Sequence, residues 1–456
     1  MAEKPNSDVP PSGAQPNPAP KQNPALRMMG MPNFKFKLPS RNWLIFLGVT
    51  GSWTAAVLYD KHQKKKVQKK WCDLVAHIAE EPLPSNYLRR KLTVFLAAPP
   101  GDGVRTSRQY FKDYVKPVLV AAALDYDVIE GRKEGDVRYG TAEQIRRFRR
   151  KQGENGSTPV EEVVDKEKLI DEVREKLHVV PEPGIRGDLV LGRHTWKEYI
   201  RGVHEGWLGP IEQPPPPVEP EAESSPIHPP TEARTDDPAA TTEKAAVAEK
   251  ADEGTEKTEP ESEPEKEKKK PYPPPAYLSV DKYPSSSLSP NTPMVLEPSQ
   301  PIHQLHLLGF LKFPWRMYNF LNRRHLADQV GRDTAAIVLA ASRPYHRGAG
   351  FSTTDPDLEA DPLATRSPEV DAAAPSGQGW EQQALLAVEE QTWHKSVRKA
   401  APEGDATERV WLDDVVIDNR IGERMRRFEL DPEEEARANR IASGVEKPRT
   451  FHAEEP

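Results

Sequence analysis

A chain of 456 residues with 48 prolines, 30% charged residues and a mean hydropathy of -0.75 is too polar for a multispanning transporter and too proline-rich for one compact domain. Its formal charge of -7 excludes the basic footprint of a general nucleic-acid binder. The single cysteine, Cys72, excludes an internal disulfide framework and any cysteine-based zinc cluster, and leaves the redox compartment open.

Residues 1–33 are rich in Pro, Asn and Ala and include Glu3 and Asp8, which suits neither a cleaved signal peptide nor an Arg-rich transit helix. They are expected to be a disordered tail, with targeting internal and uncleaved. Residues 34–60 read as a basic lead-in and a transmembrane helix, because Asn42 to Tyr59 carries no charge and about 18 helical residues approach the thickness of a bilayer. Trp43 and Tyr59 suit its two interfaces. Gly48, Ser52 and Ala56 repeat every four residues, a small-residue stripe on which another membrane helix can pack. Residues 61–81 form a basic amphipathic helix with Val67, Trp71, Leu74, Val75 and Ile78 on one face. Either Lys64, Lys65, Lys66, Lys69, Lys70 and Trp71 meet lipid headgroups, or the apolar face packs on the soluble domain.

From 82 to 211 strand and helix alternate. Lys91 to Ala98, Tyr126 to Gly131 and Asp188 to Gly192 read as strands. Helices carry Tyr110, Tyr114, Val118 and Ala121, then Val163, Ile170, Val173 and Leu177 after a Thr158/Glu161 capping box with Pro159, then Trp196, Tyr199, Ile200 and Val203. Residues 212–276 are a disordered Pro/Glu/Lys linker and 353–379 a second disordered insert. Between them, 277–352 is a second ordered block that completes the domain. There Pro314 starts a helix lined by Trp315, Tyr318, Leu321 and His325, and Ala335 to Ala341 resembles a strand. The arginines Arg316, Arg323 and Arg324 among these aromatics also suit a membrane surface or a partner protein. In 380–456, Val410, Leu412, Val415 and Ile417 read as a strand, and Asp431 before Pro432 as a helix start. The expected fold class is α/β: a single N-terminal transmembrane helix, then a soluble domain with a mostly parallel sheet interrupted by long disordered linkers.

Catalytic chemistry is scarce. Pro99-Pro100-Gly101-Asp102-Gly103 lies where a strand-to-helix loop cradles phosphate in many nucleotide-binding folds, but no Gly-Lys-Ser/Thr element accompanies it. The element order is similar to that of lipid kinases of the diacylglycerol-kinase type, whose later Gly-Gly-Asp-Gly-Thr turn would here be Gly192-Arg193-His194-Thr195. The Asp and two glycines are missing there, so a phosphate site, if inherited, is lost. His303 and His306 make no recognisable zinc site, and His194 and His204 suit packing or capping. No catalytic, cofactor-binding or metal-ligating residue is therefore expected.

Taken in order, NFKFKLPSRNWLIFLGVTGSWTAAVLYDK, LPSNYLRRKLTVFLAAPPGDG, YFKDYVKPVLVAAALDYDVIEGRKEGDVRYG, GRHTWKEYIRGVHEGWLGP and PWRMYNFLNRRHLADQVGRDTAAIVLA give the chain its likeness. It resembles the Tim-fifty-four family, the large accessory subunit of the carrier translocase of the mitochondrial inner membrane. The resemblance implies a non-enzymatic scaffold with its N-terminus in the matrix, one span, and a large domain in the intermembrane space. It also implies a channel subunit, small intermembrane-space chaperones, carrier-protein substrates and inner-membrane lipid as partners. The positive-inside rule points the other way, because six lysines after the apolar stretch outnumber Lys35, Lys37 and Arg41 before it. A degenerate or active lipid kinase and a tethered adaptor of another organelle are the alternative readings.

Overall fold

The computed structural model describes residues 40–83, 86–154, 166–182, 185–214, 273–347, 379–398 and 409–448. The expected tail, the capping box, Val163 and nearly all of the linker and the insert lie outside the described residues. The chain divides into two units, Met1–Tyr59 and Asp60–Pro456.

In the first unit the described residues are the opening part of helix α1 (Arg41–Glu80). Among the described residues no helix is long and apolar enough to cross a membrane, which corrects the expected transmembrane span. Lack of charge is not hydrocarbon character. Asn42, Thr50, Ser52 and Thr54 are polar, Gly48 and Gly51 contribute no apolar side chain, and Trp43, Trp53 and Tyr59 each carry a polar atom. The hydroxyls of Thr50, Ser52 and Thr54 donate to the carbonyls of Phe46, Val49 and Gly51 one turn earlier.

The second unit is built on a six-stranded sheet in the order β3-β2-β5-β6-β8-β7. Its strands are β2 (Lys91–Ala97), β3 (Asp125–Gly131), β5 (Gly187–Leu191), β6 (Ser299–Ile302), β7 (Ser342–Pro344) and β8 (Arg426–Phe428). All neighbours pair in parallel except β7 with β8, so the expectation of a mostly parallel sheet holds. A separate pair, β1 (Tyr87–Leu88) with β4 (Val180–Pro181), flanks it. Leu92, Val94 and Leu96 point to one face and Phe95 and Ala97 to the other, so β2 carries two cores.

On the first face lie the second half of α1, α2 (Val104–Tyr110), a π-helical turn (Phe111–Val115), α3 (Lys116–Ala121), α8 (Arg323–Leu339) and α12 (Pro432–Ala442). Residues Ala335 to Leu339, read above as part of a strand, are the last turns of α8. A short apolar run has no period of its own to tell the two apart. What ends the helix is visible: Arg90 donates to the carbonyls of Ile337 and Val338 at 3.0 and 2.9 Å, and Ala340 turns left-handed at φ 61°. Asp431 caps α12 as expected, accepting from the Glu433 N–H.

The second face holds α4 (Asp136–Lys151) and α6 (Arg193–Leu208). All sixteen residues of α6 are buried, although its sequence is amphipathic. Its charged side chains are paired: Glu205 bridges Arg138 and Arg146, and Lys197 donates to the carbonyls of Trp411 and Asp413. The Glu198 carboxylate accepts from Trp411 Nε1 and the Asp418 N–H donates to His204 Nε2. These contacts satisfy residues 411–418 from the side, so the strand expected at Val410 to Ile417 does not form.

Burial holds His204 at a pKa of about 4, below its ordinary 6.5. The folded state keeps it neutral, so its contribution is complete above pH 6.5 and is lost as pH falls towards 4. Compared with a His204→Gln variant, the wild type should lose roughly 2 kcal/mol more between about pH 7.5 and about pH 5 in urea unfolding. Parallel pH profiles would remove His204 from the acid response.

Candidate functional site

Parallel sheets bind ligands beyond the carboxyl ends of neighbouring strands whose helices leave to opposite faces. Strands β2 and β5 are such neighbours, with α2 on one face and α6 on the other. The N-terminus of α6 opens into the crevice between them, preceded by Gly192 at φ +85°. In a phosphate-binding fold the first N–H groups of such a helix are left for the ligand.

Here the chain supplies the anion itself. Glu389, in α10 (Ala387–Thr392), is 4% exposed. Its carboxylate accepts from the Arg193 N–H at 2.8 Å and from the Gln304 N–H at 2.7 Å, and lies 2.6 Å from His303 Nδ1. Burial alone would lower the His303 pKa, but the charge and hydrogen bond of Glu389 outweigh it and raise it. The Arg193 guanidinium is held by Glu390 at 2.7 Å and by the Leu385 carbonyl at 2.6 Å. Ser107 donates to the Ala97 carbonyl at 2.7 Å and accepts from Gln304 Nε2 at 2.9 Å, closing the floor.

The loop Pro99 to Gly103 is likewise self-contained. Asp102 accepts from the Gly103 N–H at 2.8 Å and from Thr106 Oγ1 at 2.9 Å, which lowers its pKa. His306 sits 3.9 Å from that carboxylate, so His303 and His306 face different acids. Among the described residues no group of three or more His, Cys, Asp or Glu is placed to hold a metal ion. His194 is buried, and burial brings its pKa to about 4.

The lysine-rich part of α1 docks on the protein. Trp71 is 3% exposed, donates to Asp328 Oδ1 at 2.8 Å and packs so closely on Gly331 of α8 that an added Cβ there would lie 2.3 Å from the ring. Of the two alternatives left open for this face, the structure has Trp71 packed on the protein, its apolar side turned to α8. Lys64 lies 4.0 Å above the Tyr114 ring, and burial lowers its pKa. Lys70 stacks 4.4 Å over Trp71 and approaches Asp328 at 3.9 Å, whereas Lys65, Lys66 and Lys69 are exposed. In the first unit Gly48 and Ser52 are exposed and Ala56 is half-buried, and a Cβ on Gly48 would meet nothing within 4 Å.

A second cleft, of about 800 Å³, lies between α2 and α7 (Phe313–Leu321). Arg105, Arg316 and Arg323 line it with Tyr110, Phe313 and Phe320. Nothing in α7 is buried, so this helix does not complete the core, whereas α8 does. Pro314 lies in its first turn, and the helix breaks at Asn322 before His325.

Residues 23–428 match the family model described as "Inner membrane protein import complex subunit Tim54". The chain belongs to the Tim54 family. A protein of Aspergillus oryzae named mitochondrial import inner membrane translocase subunit tim54 is 52% identical over 421 residues, covering 91% of this chain and 90% of that protein. Its namesake in Aspergillus fumigatus is 50% identical over 408 residues, covering 88% and 90%. The Saccharomyces cerevisiae subunit TIM54 is 26% identical over 500 residues, covering 91% and 95%. The family resemblance read from the sequence thus holds. Glu389 and Glu390 were not foreseen: AVEEQT offers only a short acidic turn, and nothing in it points to a distant helix N-terminus.

Proposed function

We propose that this chain is a non-catalytic docking subunit of the mitochondrial inner-membrane translocase that inserts multispanning carrier proteins. The names of its Tim54 relatives support an import translocase of the mitochondrial inner membrane, and the carrier-inserting role is part of the proposal. The observation that carries the non-catalytic part is Glu389, whose carboxylate occupies the Arg193 N–H at the start of α6, where a nucleotide phosphate would bind, and ties it to the Gln304 N–H. A body of this kind works by holding partners, here the channel subunit, small intermembrane-space chaperones and carrier substrates, through modest reversible contacts.

Purification of the tagged chain from detergent-solubilised mitochondria, with partners identified by mass spectrometry, should recover carrier-translocase subunits and stalled carrier precursors. Recovery of neither, or micromolar ATP binding by the purified protein, would overturn the reading. The second outcome would restore the lipid-kinase alternative.

A further inference from the structure

We propose that the loop around Phe310 and Leu311 and the adjoining α2/α7 cleft form a docking site for an anionic phospholipid surface. Phe310 and Leu311 are 90% and 88% exposed, more than any other large apolar side chain among the described residues. They follow Gly309, which turns the chain at φ +99° and so projects the pair from the body. Phe313 and Trp315 continue the apolar surface at 53% and 39% exposure. Two adjacent side chains of this size left in water cost free energy, and among the described residues of the second unit nothing covers them.

The surroundings select lipid over an apolar protein groove. Arg105, Arg316 and Arg323 line the cleft beside the loop, and all three are exposed. Leu308 packs near the turn carrying His394 and Ser396, which bears exposed Lys395 and Arg398. The Lys312 ammonium donates to the Thr392 carbonyl at the end of α10, just before that turn, which ties the loop to it. Of the two carboxylates lining the cleft, Asp102 is taken up by its own loop and Asp113 by Gln109. An apolar tip collared by cations, with a tryptophan beside it, is the chemistry that sits at a headgroup boundary. The inference rests on the inner-membrane location proposed above for the identity of the surface, and not on any translocase partner.

Residues 41–59 also expose apolar side chains, so vesicle flotation of the whole protein would not locate the contact. A local probe does. An environment-sensitive dye attached at Leu311→Cys in a Cys72→Ala background of the full chain should shift to the blue and brighten several-fold with phosphatidylcholine/phosphatidylglycerol vesicles. The response should weaken with salt and with pure phosphatidylcholine. The same dye at Val445→Cys, also on an exposed side chain, should not respond. Replacing Phe310 alone by Asp should weaken the response at position 311 roughly tenfold. A dye at 311 that keeps its aqueous spectrum while the protein floats with the vesicles overturns the proposal. So does a shift produced by mitochondrial extract and not by vesicles, which would hand the face to a protein. Either failure leaves co-purification with the translocase intact, so the two proposals fail separately.

Discussion

Glu389→Ala should destabilise the folded domain by roughly 3–5 kcal/mol, read as a fall in the urea midpoint. The carboxylate is buried and serves two backbone N–H groups and the His303 ring at once. Alanine removes every acceptor and leaves both N–H groups and the imidazole without a partner. Glu389→Gln keeps one acceptor oxygen but turns an NH2 towards a donor, so its cost should be smaller, roughly 1–3 kcal/mol. Because the pair raises the His303 pKa, its stabilisation is full below His303's ordinary 6.5 and fades as pH rises through the raised value. The alanine variant should therefore lose more, relative to wild type, at about pH 6 than at about pH 9. Acetate should partly restore the alanine variant and leave the wild type unchanged, since a free carboxylate can reoccupy the vacated N–H groups. A loss under about 1 kcal/mol would show that the crevice is closed by something other than Glu389.

Gly331→Val should separate the lysine-rich part of α1 from the body, at a cost of roughly 3 kcal/mol. Even the first carbon of the new side chain would lie 2.3 Å from Trp71, and both the ring and the α8 backbone sit in a packed core. Trp71 also donates to Asp328, so moving it breaks a hydrogen bond as well as packing. Limited trypsin digestion gives the readout: Lys64, half-buried against Tyr114, should become cleavable as fast as exposed Lys65 and Lys66. Trp71→Ala should reproduce the release through the opposite fault, a cavity, at about 3–5 kcal/mol. Unchanged cleavage in both variants would mean that Asp60, bound by Arg324 at 3.2 Å, and Gln68, bound to the Asp113 carbonyl at 2.5 Å, hold the helix without Trp71.

The strands that could be read directly, β2, β3 and β5, are those whose apolar runs stop at clear turn residues. Strand β6 could not: Ser-Gln-Pro-Ile has neither alternation nor β-branched density, and Pro301 argues against a central strand. It is tolerated because β6 meets β8 only at Ser299, leaving the Pro301 side of the strand without a ladder partner there. The reading of α7 and α8 as one helix followed by a strand failed for a related reason. Its apolar residues serve two destinations, solvent for Phe310 to Phe320 and the core for Ala327 to Val338.

By itself, the sequence determined the family, the parallel α/β plan and the apolar face of the lysine-rich helix. These rest on order and periodicity, which are local and survive without coordinates. Tertiary structure alone decided that Trp71 faces α8, that every side of α6 is covered, and that Glu389 lies on the N–H groups of Arg193 and Gln304. Each depends on a contact between residues far apart in the chain, and such a contact leaves no periodic trace in either segment.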